Sequence, residues 1–252
     1  YAPQIGDGIY QGEITFTNLT DHDGDAVRRA TLTVGQPQLH YSWPLDVDPG
    51  WSTQGLWAWG QPLGRAGDHG LPDPTAGHTG SYVYGYNLNG GYTDNMPPYF
   101  LTLGPVDCAG LRDVTLKFWR WLGVEEIDYD RAAVFVKAGG ADWTQIWENS
   151  GAINDTAWQQ MSFDVSDVAD GQSDVHVAWL MGPTDESYTY CGWNVDDVEI
   201  WALGSRATDL PAAPAPLTLA PNRPNPFNPL TEIRFALPAA ARAVLTVHDV
   251  RG

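Results

Sequence analysis

The sequence predicts an all-β protein built around a β-sandwich, and three observations support that prediction. Apolar residues almost nowhere recur at helical spacing. Short runs of β-branched and aromatic residues instead alternate with clusters of Gly, Pro, Asn and Asp, which is the pattern of sandwiches and barrels. Hydrophobic residues form 43% of the 252 residues, and the 12 Trp among them can fill a sizeable core.

The first segment, residues 1–37, is predicted to contain a β-hairpin. Residues 14–19 and 30–34 alternate between apolar and polar side chains, and a turn-forming cluster at 21–25 lies between them. A single hairpin is only marginally stable in water. We therefore interpret this segment as the C-terminal hairpin of an upstream Ig-like domain.

Residues 38–204 carry about eight strand signals, which is near the number expected of a jelly-roll sandwich. The signals are separated by stretches rich in Gly and Pro, including a loop-rich stretch that ends near residue 80. The predicted strands span residues 81–86, 99–103, 114–121, 132–136, 144–147, 158–165, 175–180 and 198–201. The predicted fold class is therefore all-β, a jelly-roll β-sandwich flanked by partial Ig-like β segments.

The composition changes again after Gly204. Residues 205–217 are rich in proline and are predicted to form a stiff linker. Residues 218–252 contain two predicted strands, at 231–235 and 243–247. Two strands are too few for an independent core, so we interpret 218–252 as a truncated module or as one that depends on a partner.

The charge of the chain restricts its partners. The sequence has 31 Asp and Glu against 13 Lys and Arg, a formal net charge of −18. Such an excess repels phosphate backbones and anionic lipids, so neither nucleic acid binding nor membrane insertion is expected. The same excess suits hard cations. No apolar run approaches the ~20 residues that span a bilayer, and any export signal is expected upstream of Tyr1.

Two cysteines, Cys108 and Cys191, lie far apart in the sequence. They form no CxxC pair, which argues against a cysteine-based zinc site. An even and low number fits one disulfide between them in an oxidising compartment. Two buried free thiols are the alternative.

Motifs for catalysis are absent from the sequence. It contains no HExxH, no Gly-x-Ser-x-Gly and no phosphate-binding glycine loop. One loop-like stretch is rich in acids: Glu125, Glu126, Asp128 and Asp130. Three interpretations of it remain open, namely a solvated acidic face, a calcium site and a pair of catalytic carboxylates as in glycosidases.

The central segment also carries a recognisable set of aromatic and acidic positions. A Gly-Trp-Asn followed by Asp-Asp, at 192–197, directly precedes the last strand. The other positions are Trp119, Arg120, Trp121, Leu122, Tyr129, Asp130, Trp143, Ile146 and Trp147. With these positions, residues 39–203 resemble the MAM-like or cleaved-adhesin-like jelly-roll modules that accompany secreted bacterial peptidases.

A second motif lies near the C-terminus. Residues 224–229 read Pro-Asn-Pro-Phe-Asn-Pro, followed by Thr231, Ile233 and Phe235 and closed by residues 247–252. This pattern resembles the opening half of the Ig-like C-terminal module used for export and surface sorting in many Gram-negative bacteria. The resemblance implies a parent protein that is secreted or held at the cell surface.

Jelly-roll modules of the resembling type often carry a structural calcium near the terminal strand. A buried carboxylate at that place requires hydrogen bonds or a cation. A structural Ca²⁺ is therefore expected, with these candidate ligands: Asp197, Asp196, Asn87, Asn89 and Asp94. An Asp that caps a turn through backbone hydrogen bonds is the alternative.

Aromatic residues in the Gly- and Pro-rich stretches are the predicted ligand contacts. They are Trp51, Trp57, Trp59, Tyr84 and Tyr92. Side chains in such stretches can stay partly exposed, and exposed flat rings stack on sugars and serve protein interfaces. Burial in the core is the alternative for each ring.

We therefore expect a non-catalytic extracellular binding region, adhesin-like or carbohydrate-binding. It would tie a secreted enzyme to a polysaccharide or to an extracellular protein surface. One alternative is a structural subunit that self-assembles by strand addition at incomplete Ig-like ends. The other is a polysaccharide or peptide hydrolase that uses the carboxylates of residues 125–130.

Overall fold

The computed structural model describes residues 8–16, 26–204, 218–219 and 235–236. The chain divides into two units, Tyr1–Ala207 and Thr208–Gly252. Nearly all regular structure in the described residues is antiparallel strand. Within this part of the chain, no helix is long and apolar enough to cross a membrane. The predicted all-β fold class is confirmed.

The N-terminal hairpin consists of β1 (Gly8–Phe16) and β2 (Ala26–Val34), which pair in antiparallel register from Gly8 opposite Val34 to Phe16 opposite Ala26. A hairpin is therefore present in this segment; β1 starts further from the turn than the predicted strand, and β2 starts nearer the turn and ends at the predicted residue. The predicted turn at 21–25 lies outside the described residues. Assignment of this hairpin to an Ig-like domain stays a prediction.

The sandwich is built from twelve further strands and one helical turn. In chain order these are β3 (Gln38–Trp43), β4 (Ser52–Thr53), β5 (Trp57–Gly60), β6 (Val83–Tyr86), β7 (Tyr99–Val106), β8 (Leu111–Val124), β9 (Ala132–Ala138), β10 (Thr144–Glu148), β11 (Ile153–Asn154), β12 (Gln159–Asp164), α1 (Ser166–Ala169), β13 (Val175–Met181) and β14 (Gly192–Gly204).

These strands form two sheets. The smaller sheet has the spatial order β10, β9, β13, β7, β4. In the larger sheet, β8 and β14 lie side by side at the centre. Strands β11 and β12 pair with the free edge of β8, whereas β3 and β6 pair with the free edge of β14. Strand β5 completes this sheet beside β6.

Strand β8 shows how the sequence produces a two-faced sheet. Its residues Leu116, Phe118 and Leu122 are buried between the sheets. Trp119 and Trp121 alternate with them and therefore point to the outward face. One strand thus supplies both the core and an aromatic outer surface.

Tryptophans hold the two sheets together. Trp179 of the smaller sheet is fully buried and meets Phe118 edge to face, with ring centroids 5.4 Å apart. Trp193 of the larger sheet donates its indole N–H to the carbonyl of Leu180 at 2.9 Å. Because each buried ring finds its contacts across the sandwich, the relative position of the sheets is closely determined.

The disulfide predicted between Cys108 and Cys191 is not formed. Both residues are buried free thiols. They lie at opposite ends of β8. The carbonyl of Cys108 accepts the N–H of Leu111 at the start of the strand, whereas the sulfur of Cys191 packs against Gly123 near its end. The extended chain between those positions is about 40 Å long, and a disulfide needs Cα atoms about 6 Å apart.

The described part of the second unit is one short pairing, between β15 (Thr218–Leu219) and β16 (Phe235–Ala236). The predicted linker at 205–217 and the strand at 243–247 lie outside the described residues. Of the strand predicted at 231–235, the described residues include Phe235 alone. The likeness of this unit to a sorting module stays a prediction.

Candidate functional site

Aromatic and polar side chains cover the outward face of the larger sheet. Trp119 and Trp121 point there from β8, and the antiparallel register places Asp196 and Asn194 of β14 beside them. On the other edge of β8, Trp158 directly precedes β12 and its ring contacts Trp121. Three strands therefore contribute to one surface.

The connection from β5 to β6, residues 61–82, lies across this face, and we call it the covering loop. The side-chain amide of Asn194 donates a hydrogen bond to Asp73 Oδ1 at 2.5 Å. The backbone N–H of Thr79 donates to Asp196 Oδ2 at 3.1 Å. Polar side chains of β14 thus hold both halves of the loop against the sheet.

His78 fixes the second half of the covering loop. Its ring stacks on Trp119, with centroids 3.6 Å apart and planes 10° from parallel. Its Nδ1 lies 2.6 Å from Asp197 Oδ2, and the Thr79 hydroxyl donates to the other oxygen of Asp197 at 2.7 Å. The backbone of the loop is also tightly packed at Gly77, because a Cβ there would lie 2.2 Å from the carbonyl oxygen of Thr79.

An open pocket of about 390 Å³ lies between the covering loop and the outward tryptophans. The rings of Trp121 and Trp158 are 6.1 Å apart at 72°, so they form two nearly perpendicular walls. The indole N–H of Trp121 donates to the carbonyl of Pro72 at 3.2 Å, which fixes its orientation. The lining consists of Pro72, Asp73, Pro74, Thr75, Ala76, Gly77, Trp121 and Trp158.

Asp73 is the ionisable residue of that lining. It is 4% exposed; Oδ1 accepts the Asn194 hydrogen bond, whereas Oδ2 is buried without a hydrogen-bond partner of normal geometry. Burial raises the pKa of Asp73 to about 7, although hydrogen bonds from Asn194 and the Cys191 thiol act to lower it. The carboxyl is therefore partly protonated near neutral pH.

Asp196 is buried more completely, and its hydrogen bonds are satisfied. Its two oxygens accept the backbone N–H groups of Thr79 at 3.1 Å and Asp197 at 2.8 Å. Burial, followed by the neighbouring Asp197 carboxylate, raises the pKa of Asp196 to about 7. Its contacts are those of a residue that caps a turn, which was the alternative to a calcium ligand.

The five residues predicted to bind calcium do not come together. Asp196 and Asp197 anchor the covering loop, and the Asn87 amide donates within its own turn at 2.5 Å. Asn89 and Asp94 are exposed. Both oxygens of Asp196 accept backbone N–H groups, and a calcium site built from these five residues stays a prediction.

A different group of carboxylates does converge, at the start of the loop after β8. Oxygens of Glu125, Asp130 and Asp185 all lie within 4.8 Å of one another. Asp130 is fully buried and accepts hydrogen bonds from the Tyr92 hydroxyl and, at 3.1 Å, from the N–H of Asp185. Burial, followed by the carboxylates of Asp130 and Asp185, raises the pKa of Glu125. Burial also raises the pKa of Asp130, against the lowering effect of its hydrogen bonds from Tyr92 and Asp185. Oxygen donors at this spacing can hold Ca²⁺.

Three of the five predicted ligand aromatics belong to the core. Trp57, Tyr84 and Tyr92 are each no more than 3% exposed. The tyrosines can be buried because their hydroxyls find acceptors: Tyr84 donates to Asp48 at 2.6 Å, and Tyr92 donates to Asp130. The prediction that these rings contact a ligand is wrong, and core burial, the alternative, is correct.

The other two predicted ligand aromatics are partly buried. Trp51 stacks on Tyr84 and on Trp179, with ring centroids 5.0 and 5.8 Å apart, and packs against the core. Trp59 stacks on Tyr82 at 4.7 Å and donates its indole N–H to Leu45 at 2.8 Å. These two rings pack against the core and do not form the predicted platform either.

The pocket residues Trp121, Trp158 and Asp73 lie outside the predicted site. One signal in the sequence points to the first of them. Trp119 and Trp121 alternate with Phe118 and Leu122, so β8 is apolar on both faces. A strand with one solvated face needs apolar residues on its buried face only. The partnership of Trp121 with Asp73 has no such local signal.

Comparison with known sequences yields one similar curated protein. Bacillopeptidase F of Bacillus subtilis (strain 168) is 29% identical over 180 residues. The match covers 69% of this chain and 11% of that protein, so the chain spans about a ninth of the length of its relative. No protein-family model matches the chain.

Comparison with solved structures yields carbohydrate-binding modules. The CBM22-1 xylan-binding domain of Paenibacillus barcinonensis Xyn10C matches with a TM-score of 0.40 and 14% identity, over 69% of this chain and 99% of that one. TmCBM61, solved with β-1,4-galactotriose, matches with a TM-score of 0.37 and 14% identity, over 61% and 89%. Both are similar to this chain at identities far below those that accompany a shared ligand.

Proposed function

We propose that this chain is a non-catalytic, extracellular carbohydrate-binding region of a larger secreted protein, and that it binds glycans in the pocket beside the covering loop. The observation that carries the proposal is the perpendicular pair of partly buried indoles, Trp121 and Trp158, facing a polar loop. A sugar ring presents flat C–H faces and a rim of hydroxyls. Indole faces match the first, and loop carbonyls and hydroxyls match the second.

The pocket is organised before a ligand arrives. Trp121 is oriented by its hydrogen bond to Pro72, and the covering loop is attached to β14 through Asp73 and Thr79. Groups held in this way lose little conformational entropy on binding. This arrangement supports a binding site more than a surface whose rings are free to move.

The carboxylates of the loop after β8 do not suit glycoside hydrolysis. Oxygens of Glu125, Asp130 and Asp185 lie within 4.8 Å of one another, which is closer than the ~5–5.5 Å of retaining glycosidases and the ~6.5–9.5 Å of inverting ones. Asp130 is fully buried, and both its oxygens already accept hydrogen bonds. A non-catalytic role is therefore the better supported one.

The same three carboxylates are proposed to hold a structural Ca²⁺. They belong to two connections, one after β8 and one after β13, so a shared cation would join these loops. The ion would remove the repulsion among the carboxylates and would give Glu125 Oε2, which is buried without a hydrogen-bond partner, a positive neighbour.

Thermal unfolding with and without calcium tests the metal proposal. Millimolar Ca²⁺ is expected to raise the Tm of the chelator-treated protein by several degrees, because it binds the folded state alone. Asp185→Asn is expected to abolish that increase. Asp128→Asn, which changes an exposed acid of the same loop, should keep it. An equal increase in all three proteins would contradict a site at these residues.

Binding to insoluble polysaccharides tests the glycan proposal. The protein should be retained by at least one of cellulose, xylan, galactan and chitin, and Trp121→Ala or Trp158→Ala should weaken retention about 10–100-fold, as for other buried aromatic contacts. Trp143→Ala is the matched control, because Trp143 is an exposed indole that precedes β10 in the smaller sheet. Full retention of the two pocket variants, or no retention of the folded wild-type protein, would overturn the proposal.

A further inference from the structure

We infer that the pocket beside the covering loop binds sugars that carry an acetamido group on the ring, as N-acetylhexosamines do. The inference rests on the proposed carbohydrate-binding function and names the chemical class of the ligand. It follows from the apolar side chains of the lining, from the carbonyl groups among them and from the angle between the two indoles.

The lining is apolar where the covering loop forms it as well as where the tryptophans form it. The loop contributes Pro72, Pro74 and Ala76, which face the pocket shared with Trp121 and Trp158. A sugar whose rim carries hydroxyls alone matches the indoles and leaves the apolar part of the loop without a partner. A methyl group on the ligand would cover that part of the loop, and removal of apolar surface from water is favourable.

The acidic side chain of the lining is directed away from the pocket. The Asp73 carboxyl hydrogen-bonds the buried Asn194 amide and the Cys191 thiol, so it serves to attach the loop to β14. None of the other lining residues is ionisable. A charged substituent would lose hydration in this pocket without gaining a partner, whereas an uncharged amide loses less.

Backbone carbonyl groups of the lining are held in place by hydrogen bonds. The carbonyl of Pro74 accepts the N–H of Gly64 at 3.1 Å, and the carbonyl of Thr75 accepts the side-chain amide of Gln61 at 3.1 Å. A carbonyl oxygen has a second lone pair, which can accept from a ligand. An acetamido group carries an N–H donor close to its methyl group, so it matches an acceptor and an apolar surface together.

The angle between the indoles suits a sugar ring with a substituent at its edge. The centroids of Trp121 and Trp158 are 6.1 Å apart, and their planes meet at 72°. When a pyranose ring stacks on one indole in this corner, its edge is directed at the face of the other. An equatorial acetamido group projects from that edge, so its methyl group contacts the second indole. The volume of about 390 Å³ suits one such residue.

Four tetrasaccharides with one β-1,4-linked glucose skeleton test the inference on the wild-type protein. They carry a hydroxyl, a formamido, an acetamido or an amino group at C2 and differ in nothing else. Isothermal titration calorimetry at about pH 7 and about 0.15 M salt, which screens the net charge of the protein, is the measurement. The acetamido compound is expected to bind about tenfold more tightly than the hydroxyl one, because it fills an apolar pocket.

The formamido compound isolates the methyl group, because it keeps the N–H donor and lacks the methyl. It should lose most of the tenfold gain, and its heat-capacity change on binding should be less negative than that of the acetamido compound. The amino compound should show no such gain over the hydroxyl one.

Ala76→Ser places a hydroxyl in the apolar part of the lining, at a half-buried position. The readout is the ratio of the dissociation constants for the hydroxyl and acetamido compounds, which a uniform loss of affinity does not change. That ratio should fall about fivefold or more, because a methyl group would cover the new hydroxyl and leave it without a partner. Ala141→Ser makes the same change at an exposed position between β9 and β10 and should keep the wild-type ratio. Circular dichroism establishes that each variant is folded.

The outcomes separate the inference from the function on which it rests. Equal affinity of the wild-type protein for the hydroxyl and acetamido compounds, or tightest binding of the amino compound, would overturn the inference and leave the glycan-binding function standing. Equal affinity for the formamido and acetamido compounds, or an unchanged ratio in folded Ala76→Ser, would overturn the contact between the methyl group and the loop. Absence of binding to every tetrasaccharide and every polysaccharide by the folded protein would overturn both.

Discussion

At the scale of single residues, Asp73 and Asp196 show how the surroundings of a carboxyl decide its role. Both are buried where the covering loop meets β14, and burial raises the pKa of each to about 7. Asp196 accepts backbone N–H groups, so its charge is used to hold the loop. Asp73 accepts the side-chain amide of Asn194, so it attaches the first half of the loop to β14.

This difference gives a prediction about stability and pH. The pKa of Asp73 is about 7 in the folded protein and about 4 in an unfolded chain. Between these values the folded state binds a proton that the unfolded state releases, so the free energy of unfolding falls as the pH rises. Asp73→Asn should match wild type near pH 5 and exceed it by about 1–3 kcal/mol near pH 8, measured by urea unfolding.

Asp196→Asn provides the contrast. In this variant the side-chain NH₂ would face the backbone N–H of Thr79 or Asp197, so that two donors meet and a hydrogen bond is lost. The variant should therefore have a lower free energy of unfolding at both pH values. A constant difference between Asp73→Asn and wild type from pH 5 to pH 8 would show that the Asp73 carboxyl does not titrate in this range.

At the scale of elements, the covering loop depends on close packing that admits no side chain at Gly77. Its Cβ would lie 2.2 Å from the carbonyl of Thr79 and 2.5 Å from Asp196 Oδ2. Gly77→Ala should therefore detach the second half of the loop, destabilise the protein by about 1–3 kcal/mol and speed amide exchange across residues 61–82. Gly151→Ala, with nothing within 4 Å of its Cβ, should change neither the stability nor the amide exchange of residues 61–82. Hydrogen exchange followed by mass spectrometry gives the answer, and protection of 61–82 in Gly77→Ala would contradict this account.

The strands themselves were accessible from the sequence, because alternation and turn residues are local signals. The strand predicted at 132–136 is β9 (Ala132–Ala138), and the one predicted at 158–165 contains β12 (Gln159–Asp164). Strands β3, β4, β5 and β11 were missed, and β4 and β5 lie in a stretch dominated by Gly and Pro. Patterns of this kind describe segments and not the pairing between them.

The site was less accessible, for a physical reason. Asp73 and Asn194 are 121 positions apart in the sequence, and the residues around each of them do not indicate that the two side chains are in contact. Tyr84 and Tyr92 were predicted to be exposed because Gly surrounds them, yet their hydroxyls are satisfied by distant carboxylates and their rings complete the core. Burial of a polar aromatic depends on partners that only the tertiary fold supplies.

At the scale of the whole molecule, the sandwich is held by packing without a covalent cross-link between its cysteines. Cys108 and Cys191 are both buried, and burial raises the pKa of the Cys108 thiol to about 12. A thiol that is buried and protonated reacts slowly with disulfide reagents. The core therefore determines both the fold and the redox behaviour of the chain.

Thiol titration checks this description. Native protein at pH 8 should show no reactive thiol to an aromatic disulfide reagent, and protein unfolded without reductant should show two. Reducing agent should leave the Tm unchanged. Absence of thiols after unfolding would instead reveal a cross-link and contradict the separation of the two residues along β8.

The position of Trp121 on β8 has a kinetic consequence. The opposite face of that strand is filled by Phe118 and Leu122, both of which are buried, so the proposed ligand-binding face shares the stiffness of the core. A receptor that does not rearrange captures its ligand at nearly every suitably oriented collision. Variants of the pocket should therefore share one association rate and differ in residence time, which is the quantity through which such a module would be tuned for a different glycan.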